Sequence, residues 1–303
     1  MAKIFVTGAS GRLGRLLIQK LENAIPLVRK PSRLPNEIVT DFSTKELKKI
    51  LANASAVVHL AGSRDFLDMK KAREGNVELT RRILEAMPDE AKIIFASSIS
   101  VYGKKMLHIP ADETSRANPD TAYAKTKLEA EGIVSEHPNH VILRIGPIYG
   151  PGFEEYFKVL RMLEKGRMKI IGDGKNRIPF VHVNDVVNAI SNAIEHGDGI
   201  YVLVGECLSQ REIYDLASSE LGVEPPKKHM SIGLAKAFSQ FELFRTTYFG
   251  GTPKFIPEDV AVLSSDRAFN CTKAREELGF SPIPLGKGIK EMVKLHKGLI
   301  KVS

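Results

Sequence analysis

The stretch Val6-Thr7-Gly8-Ala9-Ser10-Gly11-Arg12-Leu13-Gly14-Arg15-Leu16-Leu17 decides how the rest of this 303-residue chain is read. Before it, Lys3-Ile4-Phe5-Val6 is a short apolar run of the buried parallel-strand type. After it, Leu13, Leu16, Leu17 and Leu21 recur at helical spacing. A strand therefore stops at a glycine-rich turn and a helix begins at once. Gly8, Gly11 and Gly14 each have a physical task in such a turn. One makes the tight bend, one admits a pyrophosphate to the backbone, and one lets helix and strand pack closely. The bare N–H groups and positive dipole end of the helix then hold the phosphates. The spacing is G-x-x-G-x-x-G rather than G-x-G-x-x-G, and a glycine-rich turn without a ligand is the competing reading. Its position between a strand and a helix at the start of an α/β chain favours dinucleotide binding.

The length suits one large domain or two smaller ones, with a core that needs no staples. No apolar run is long enough to span a bilayer, and a first strand at residue 3 leaves no room for a signal peptide. Cys207 and Cys271 form no motif and read as buried thiols rather than a disulfide. These features predict a soluble protein of a reducing cytoplasm. The net charge of +8 is scattered over pairs such as Lys48-Lys49, Lys104-Lys105 and Lys227-Lys228. With no zinc-finger spacing and no aromatic-studded RNA motif, it reads as a solvated basic surface that attracts anionic cofactors and substrates, not nucleic acid. The eight His residues show no H-x-x-x-H or H-E-x-x-H pairing, so no metal is expected.

Along the chain, Ile25-Pro26-Leu27-Val28 reads as a second strand ending in Arg29-Lys30-Pro31. An acidic residue at this strand end would suit a ribose 2′-hydroxyl, whereas a basic one suits a 2′-phosphate. Arg29 and Lys30, with Arg33 close behind, therefore favour NADP over NAD; ordinary surface charge is the alternative. Residues 37–41 read as a third strand, 44–51 as a helix and 56–62 as a fourth strand. A helix follows through Asn76, Leu79, Ile83 and Leu84, then a fifth strand at 92–96. Strands alternating with helices on this scale mean a parallel sheet covered on both faces.

A second chemical centre lies just beyond. Ser98 sits at the C-terminal end of the fifth strand, the rim where such sheets place ligands. Tyr123-Ala124-Lys125-Thr126-Lys127 opens a helix, and Tyr123 and Lys127, four apart, share one of its faces. A nearby ammonium stabilises phenolate and lowers a tyrosine pKa, which makes Tyr123 a usable general acid/base. Ser98 could hold the substrate oxygen. In isolation Y-x-x-x-K is also common surface decoration.

The cluster Gly146-Pro147-Ile148-Tyr149-Gly150-Pro151-Gly152 is the candidate domain boundary. Residues 1–150 are expected to form the dinucleotide-binding part and 151–303 mostly a substrate-binding part, with 179–205 returning to the first sheet. Helices are expected at 186–194 and 209–221, the latter with Ser209 and Glu212 as a capping box. The segment 232–255 is rich in Phe, Leu and Tyr and reads as packing of a small helical substrate domain, or as the lining of an apolar pocket. It lacks a clean polar face, which argues against membrane attachment.

With these residues in hand, the chain resembles the extended short-chain dehydrogenase/reductase family over nearly its whole length. The resemblance rests on Thr7 through Gly14, Leu60-Ala61-Gly62 and Ser97-Ser98-Ile99-Ser100-Val101-Tyr102-Gly103. It continues with Tyr123 through Lys127, Leu143-Arg144, Tyr149-Gly150-Pro151-Gly152, Phe180-Val181-His182-Val183-Asn184-Asp185, and the closing stretch from Lys273 to Pro282. It implies a Rossmann-type doubly wound parallel sheet, of class α/β, with a smaller C-terminal α+β substrate domain. It implies that Ser98 polarises a carbonyl or hydroxyl, that Tyr123 transfers the proton, and that Lys127 lowers the tyrosine pKa and holds the nicotinamide ribose. The cofactor side would comprise Gly8, Ser10, Gly11, Arg12, Leu13 and Gly14, then Arg29, Lys30, Asp41, Phe42, Leu60, Ala61, Gly62, Asn76 and Ile148. Asp41 matches an adenine-contacting position, and Asn76 one on the nicotinamide side.

Within the family, Ser98 is followed by Ile99-Ser100 rather than the Asp-Glu pair of 4,6-dehydratases. Ile145-Gly146-Pro147 is closer to the 3β-hydroxysteroid dehydrogenase and dihydroflavonol reductase branch than to the epimerases. The expectation is an NAD(P)-dependent oxidoreductase interconverting a secondary alcohol and a ketone. A nucleotide-sugar epimerase with tightly bound NAD is the alternative, and a non-catalytic NADP-sensing regulator a third. A small-molecule substrate and a possible homodimer complete the expected partners, with neither nucleic acid nor membrane among them.

Overall fold

The computed structural model describes residues 3–65, 68–250 and 257–298. Strands β1 (Lys3–Thr7), β2 (Ala24–Val28), β3 (Ile38–Val39), β4 (Ala54–His59), β5 (Lys92–Ser98) and β6 (His140–Ile145) lie side by side in the order 3-2-1-4-5-6. The strand Gly199–Leu203 pairs beyond β6, and every pairing in this seven-stranded sheet is parallel. This is the expected doubly wound sheet. Its strands are apolar on both faces because both are covered. Phe5 of β1 points into a cluster with Leu27, Val57, Ile93 and Phe95, while its neighbour Val6 joins Val58, Ile94, Val141 and Leu143 on the other side.

The second of these clusters is closed by Leu17 and Ile18 of α1 (Arg12–Lys20) and by Val186, Ala189 and Ile190 of a later helix. The first is closed by Leu47 of α2 (Thr44–Ile50) and by helices that follow β4 and β5. After β4, the helix expected as one piece is three: α3 (Met69–Arg73), a π-helical turn (Glu74–Glu78) and α4 (Leu79–Leu84). β4 itself ends at His59, so Leu60, Ala61 and Gly62 leave the sheet as loop rather than strand. Helix α5 (Ala122–Val134) follows β5.

Beyond β6, α6 (Phe157–Glu164), α7 (Val183–Glu195) and α8 (Gln210–Leu221) appear in turn. α7 is the later helix over the sheet. Leu160 and Leu163 of α6 pack with Tyr214, Ala217 and Leu221 of α8 and with Leu285, Ile289 and Met292, a core separate from the two sheet clusters. The capping box expected at Ser209 and Glu212 is formed in both directions. Both cysteines are free.

The segment 232–255 departs from its reading as the packing of a small helical domain. Its described part is α9 (Ile232–Phe249), which buries Ala235, Ser239 and Glu242 and leaves Leu234, Phe238, Phe241, Phe244 and Tyr248 exposed. The aromatics therefore do not pack a helical core; small and polar side chains take the inner face. Residues 251–255 lie outside the described residues. No helix among the described residues is long and apolar enough to cross a membrane.

Candidate active site

β1 ends at Thr7, and Gly8 takes φ +71°, a conformation that side chains rarely adopt. A Cβ on Gly8 would stand 2.6 Å from Ala61 N and 2.8 Å from Leu60 C. The ends of β1 and β4 meet only because residue 8 has none. A Cβ on Gly14 would lie 2.4 Å from Gly8 O and 2.6 Å from the Ala9 Cα, so α1 packs directly on the turn. Gly11 caps α1 with no side chain across the helix N-terminus. The strand order reverses between β1 and β4, the crevice where sheets of this kind bind ligands. A cleft of about 1010 Å³ opens there, lined by Gly8, Ser10, Gly11, Arg29, Phe42 and residues 60–63, and bounded further out by Asp68 to Leu79 side chains such as Lys70 and Arg73.

Several expected cofactor residues shape the cleft without lining it. Leu13 is half-buried against a sheet cluster, and Gly14 is covered by the turn. Arg12 reaches across the rim, where its guanidinium lies 4.4 Å from the centre of the Phe153 ring and pairs with Glu155. Ile148 pairs with Val181 and packs against the sheet. Arg15 ties the turn to the β2 exit by donating to Ser10 O and Ser32 O, both at 3.2 Å.

At the β2 exit Arg29 is on the lining, 6.0 Å from the Phe42 ring centre, whereas Lys30 is exposed and off it. Phe42 has φ +60° and is 3% exposed, its N–H bound by Thr40 Oγ1 at 3.1 Å. Asp41 turns aside: its carboxylate accepts the Ser43 N–H at 2.7 Å, which holds it below the usual carboxylate range. Glu37 accepts the N–H groups of Ser32, Arg33 and Leu34 at 2.8, 3.2 and 3.1 Å. Together with the Ser32 hydroxyl, these bonds pull its pKa down to about 2. This acid folds the loop after β2 and is occupied in doing so.

On the other side of β4, Ser98 ends β5 and accepts the Ser100 N–H at 3.2 Å. Tyr123 stands in the first turn of α5, which Thr121 caps by accepting the Ala124 N–H. The Ser98 and Tyr123 side chains are hydrogen-bonded to each other. Burial raises the Tyr123 pKa above its ordinary value; the bond from Ser98 and the charge of Arg64 pull the other way. The expected lowering by Lys127 is not what sets the direction here, because burial outweighs the charges nearby. Lys127 Nζ donates to Ala96 O at 2.8 Å and lies 4.6 Å from the Phe95 ring centre. Burial lowers its own pKa to about 8, opposed by Glu131. Gly62 brings Lys127 and Asn76 together: a Cβ there would stand 2.6 Å from Asn76 Oδ1 and 3.3 Å from Lys127 Nζ.

Beneath these groups runs a network absent from the sequence reading. Thr80 Oγ1 donates to Asn76 O at 2.6 Å, so it must accept from His59 Nε2 at 3.0 Å. His59 Nδ1 then accepts from Thr7 Oγ1 at 2.7 Å, and Thr7 Oγ1 accepts the Ala61 N–H at 3.3 Å. Every partner is satisfied only by the neutral Nε2–H tautomer. Burial, reinforced by the Lys127 charge, lowers the His59 pKa to about 3, in keeping with a neutral ring. Asn76, in the π-helical turn, accepts the Ser63 N–H and donates to Ser63 O and Thr126 Oγ1. Thr126 Oγ1 also contacts the carbonyls of Ala122 and Tyr123 at 3.0 Å. The chain of bonds thus joins the glycine turn to the start of α5. Its sequence signal was polar side chains, Thr7 and His59, at the ends of strands otherwise apolar.

The model of the NAD dependent epimerase/dehydratase family matches residues 4–205, about two thirds of the chain. The 3beta-hydroxysteroid-dehydrogenase/decarboxylase isoform 2 of Arabidopsis thaliana is 25% identical over 82% of this chain and 49% of its own. This chain therefore spans about half the length of that relative. The uncharacterized UDP-glucose epimerase YtcB of Bacillus subtilis is 28% identical over 68% of this chain and 76% of its own. The crystal structure of UDP-glucuronic acid 4-epimerase from Bacillus cereus with NAD superposes with a TM-score of 0.73 at 22% identity, covering 99% of this chain and 100% of that one. A full-length likeness at that identity speaks for the fold, while the family match rests on the sequence itself. The chain belongs to the NAD-dependent epimerase/dehydratase family, within the extended short-chain dehydrogenases/reductases that its motifs resemble.

Proposed function

We propose that the protein is an NAD(P)-dependent oxidoreductase that interconverts a secondary alcohol and a ketone, with Tyr123 as acid/base. The observation that carries this reading is the Ser98–Tyr123 hydrogen bond at the exit of β5, next to the place where Lys127 and Asn76 meet at Gly62. The groove suits a dinucleotide: the backbone turn at Gly8 and Gly11 is free of side chains, and the cleft runs from it along Leu60–Ser63. Gly8, Gly11 and the start of α1 would seat the pyrophosphate, and Lys127 and Asn76 would face the nicotinamide ribose. A bound nicotinamide supplies the hydride donor or acceptor.

The chain's own residues handle the oxygen. Ser98 Oγ donates to the carbonyl oxygen of the substrate and polarises it. Tyr123, its pKa raised by burial, holds its proton at neutral pH, the form that can donate to the oxygen as a ketone becomes an alcohol. In the oxidative direction the phenolate must take that proton back, and the Lys127 charge would favour it. The name of the Arabidopsis relative supports a hydroxysteroid-like, apolar substrate.

NADP is the preferred form in this reading. Arg29 is on the cleft wall beside Phe42, and Glu37, which could repel a 2′-phosphate, is bound up with the N–H groups of residues 32–34. The epimerase reading, in which NAD is held through the turnover, is favoured by the name of the Bacillus subtilis relative. Dialysing the purified protein exhaustively, denaturing it and identifying any released dinucleotide separates the two. An empty protein that binds NADPH more tightly than NADH is expected. Retained NAD would replace the reductase by the epimerase.

A further inference from the structure

Ser98 is the last residue of β5, and the residue before it carries a second hydroxyl that the chemistry above does not use. Ser97 is buried, and its Oγ donates to the Glu131 carboxylate, also buried. Tyr123, Lys127 and Glu131 follow one another at steps of four residues, so they share one face of α5. Each meets a different residue at the end of β5. Tyr123 is bonded to Ser98, Lys127 Nζ donates to Ala96 O at 2.8 Å, and Glu131 accepts from Ser97. Three consecutive strand residues are thus pinned to three successive steps of one helix face.

A buried carboxylate is tolerated only when it is paired and hydrogen-bonded. Arg144 of β6 supplies the charge. Its Nε lies 3.1 and 3.2 Å from the two Glu131 oxygens, and its Nη2 2.8 Å from Oε2. The planar guanidinium fork fixes the orientation of the carboxylate that receives Ser97. Arg144 Nη1 also donates to Tyr102 Oη at 2.7 Å, and Tyr102 Oη donates to Asp112 O at 2.6 Å. Tyr102 closes the short helical turn Ile99–Tyr102, whose N-cap is Ser98. The backbone of Ser98 is therefore held from both sides, by Ser97 before it on Glu131 and by the turn after it on Arg144.

We propose that Ser97, Glu131 and Arg144 are positioning residues that lock the end of β5 to α5 in the register where Ser98 and Tyr123 meet. The inference rests on the reading of Ser98 and Tyr123 as the groups that handle the substrate oxygen. The three act through Ser98 and not on the substrate. An ion pair so deeply buried adds little net stability over apolar side chains of the same volume. Its fixed directions supply what apolar packing would not.

Ser97→Ala is the informative variant, because it removes one bond and leaves the Glu131–Arg144 pair whole. The test labels the full chain with fluorotyrosine and follows the fluorine NMR signal of Tyr123, the one lost in Tyr123→Phe, as pH is raised. The bond from Ser98 favours the phenolate, so Ser98→Ala should move the titration midpoint of that signal upward. Ser97→Ala should move it in the same direction by a smaller amount, and should add nothing in the Ser98→Ala background. No shift in Ser97→Ala, or the same shift with and without the Ser98 hydroxyl, would overturn the proposal and leave Ser97 a group of the core alone. If thermal melts show Ser97→Ala to be unfolded, Tyr102→Phe takes its place, losing the hydroxyl on Arg144 but keeping the ring. The titration requires no substrate, so it stands apart from the redox reading, which fails instead if Tyr123→Phe keeps full activity. With a ketone that wild type reduces, Ser97→Ala should lower kcat by about tenfold and leave KM unchanged. A raised KM with kcat intact would count against the proposal.

Discussion

Beneath the cleft, His59, Asn76 and Thr80 are fully buried and Lys127 is 4% exposed, while on α9 Phe241 is 60% and Tyr248 71% exposed. Each region reverses the ordinary partition of polar and apolar side chains. They differ in how the reversal is compensated. Under the cleft, each buried polar group has a partner inside the chain: His59 between two threonines, Asn76 on Ser63 and Thr126, Lys127 on Ala96. That region is closed, and its groups are held in one arrangement. On α9 none of the described residues covers the aromatics, so the reversal is not compensated within the described part of the chain. An inverted interior marks a site built to position something; an inverted surface marks one built to be covered.

The largest effect that would break this comparison lies at Tyr123. Tyr123→Phe removes the proton-transfer oxygen and keeps the ring, so turnover should fall by about 10²- to 10⁴-fold with dinucleotide affinity nearly unchanged. Full activity in that variant, measured with any substrate that turns over, would detach the closed network from the chemistry. Next in size is Gly14→Ala, whose methyl would collide with the Gly8 carbonyl and the Ala9 Cα. It should cost about 3 kcal/mol or more in urea denaturation. Gly132→Ala, inside α5 with nothing within 4 Å of the added methyl, should instead gain about 0.5–1 kcal/mol. Equal effects at the two glycines would remove the argument that close approach, and not glycine content, builds the turn.

The readable parts of this molecule were those fixed by neighbours in sequence. The strand–turn–helix at Gly8 to Gly14, the capping box of Ser209 and Glu212, and the Tyr123/Lys127 spacing on one helix all depend on residues a few positions apart. The unread parts depend on distant ones. The π-helical turn exists where Gly75 packs against Ser63 and Asn76 bonds to both Ser63 and Thr126. Arg12 leaves the phosphate turn for Glu155, 143 positions on. The Tyr123 pKa follows from burial, which the pair Tyr123/Lys127 alone does not reveal. For α9 the sequence shows a segment rich in Phe, Leu and Tyr, but which side of it faces inward is decided by what packs there. Arg29 was read from its strand end and does stand on the cleft wall; Lys30, beside it, does not.

Two smaller effects sharpen the closed side of the comparison. The Lys127 pKa is about 8 in the fold against 10.5 ordinarily, so between those values the unfolded chain keeps a proton that the folded one has lost. At pH 7 the fold therefore carries a cost on the order of 3 kcal/mol for the buried charge. Lys127→Met removes that cost but also the bond to Ala96, so stability should rise by about 1–2 kcal/mol as turnover falls. A melting temperature that drops would show that the lysine is structural. His59 has the same sign: its folded pKa of about 3 lies below the ordinary 6.5, so only the unfolded state gains a proton as pH falls through 6.5. Stability should decline toward a slope of about 1.4 kcal/mol per pH unit between roughly pH 6.5 and 5, above the range where carboxylates titrate. Denaturation curves of His59→Gln should lack that slope; its persistence would assign it to other groups.

The smallest expected effect concerns the open side. Phe95 is fully buried beneath Lys127, and Phe95→Ala should cost about 3–5 kcal/mol by emptying the sheet core. Phe241 is a side chain of the same size, yet Phe241→Ser should change stability by no more than about 0.5 kcal/mol. Equal melting temperatures for wild type and variant would mean that the fold does not use this aromatic ring. A loss of more than about 1 kcal/mol would place the ring in a packed core and make α9 an ordinary helix. The contrast between closed and open regions would then disappear, and with it the case for a covered face.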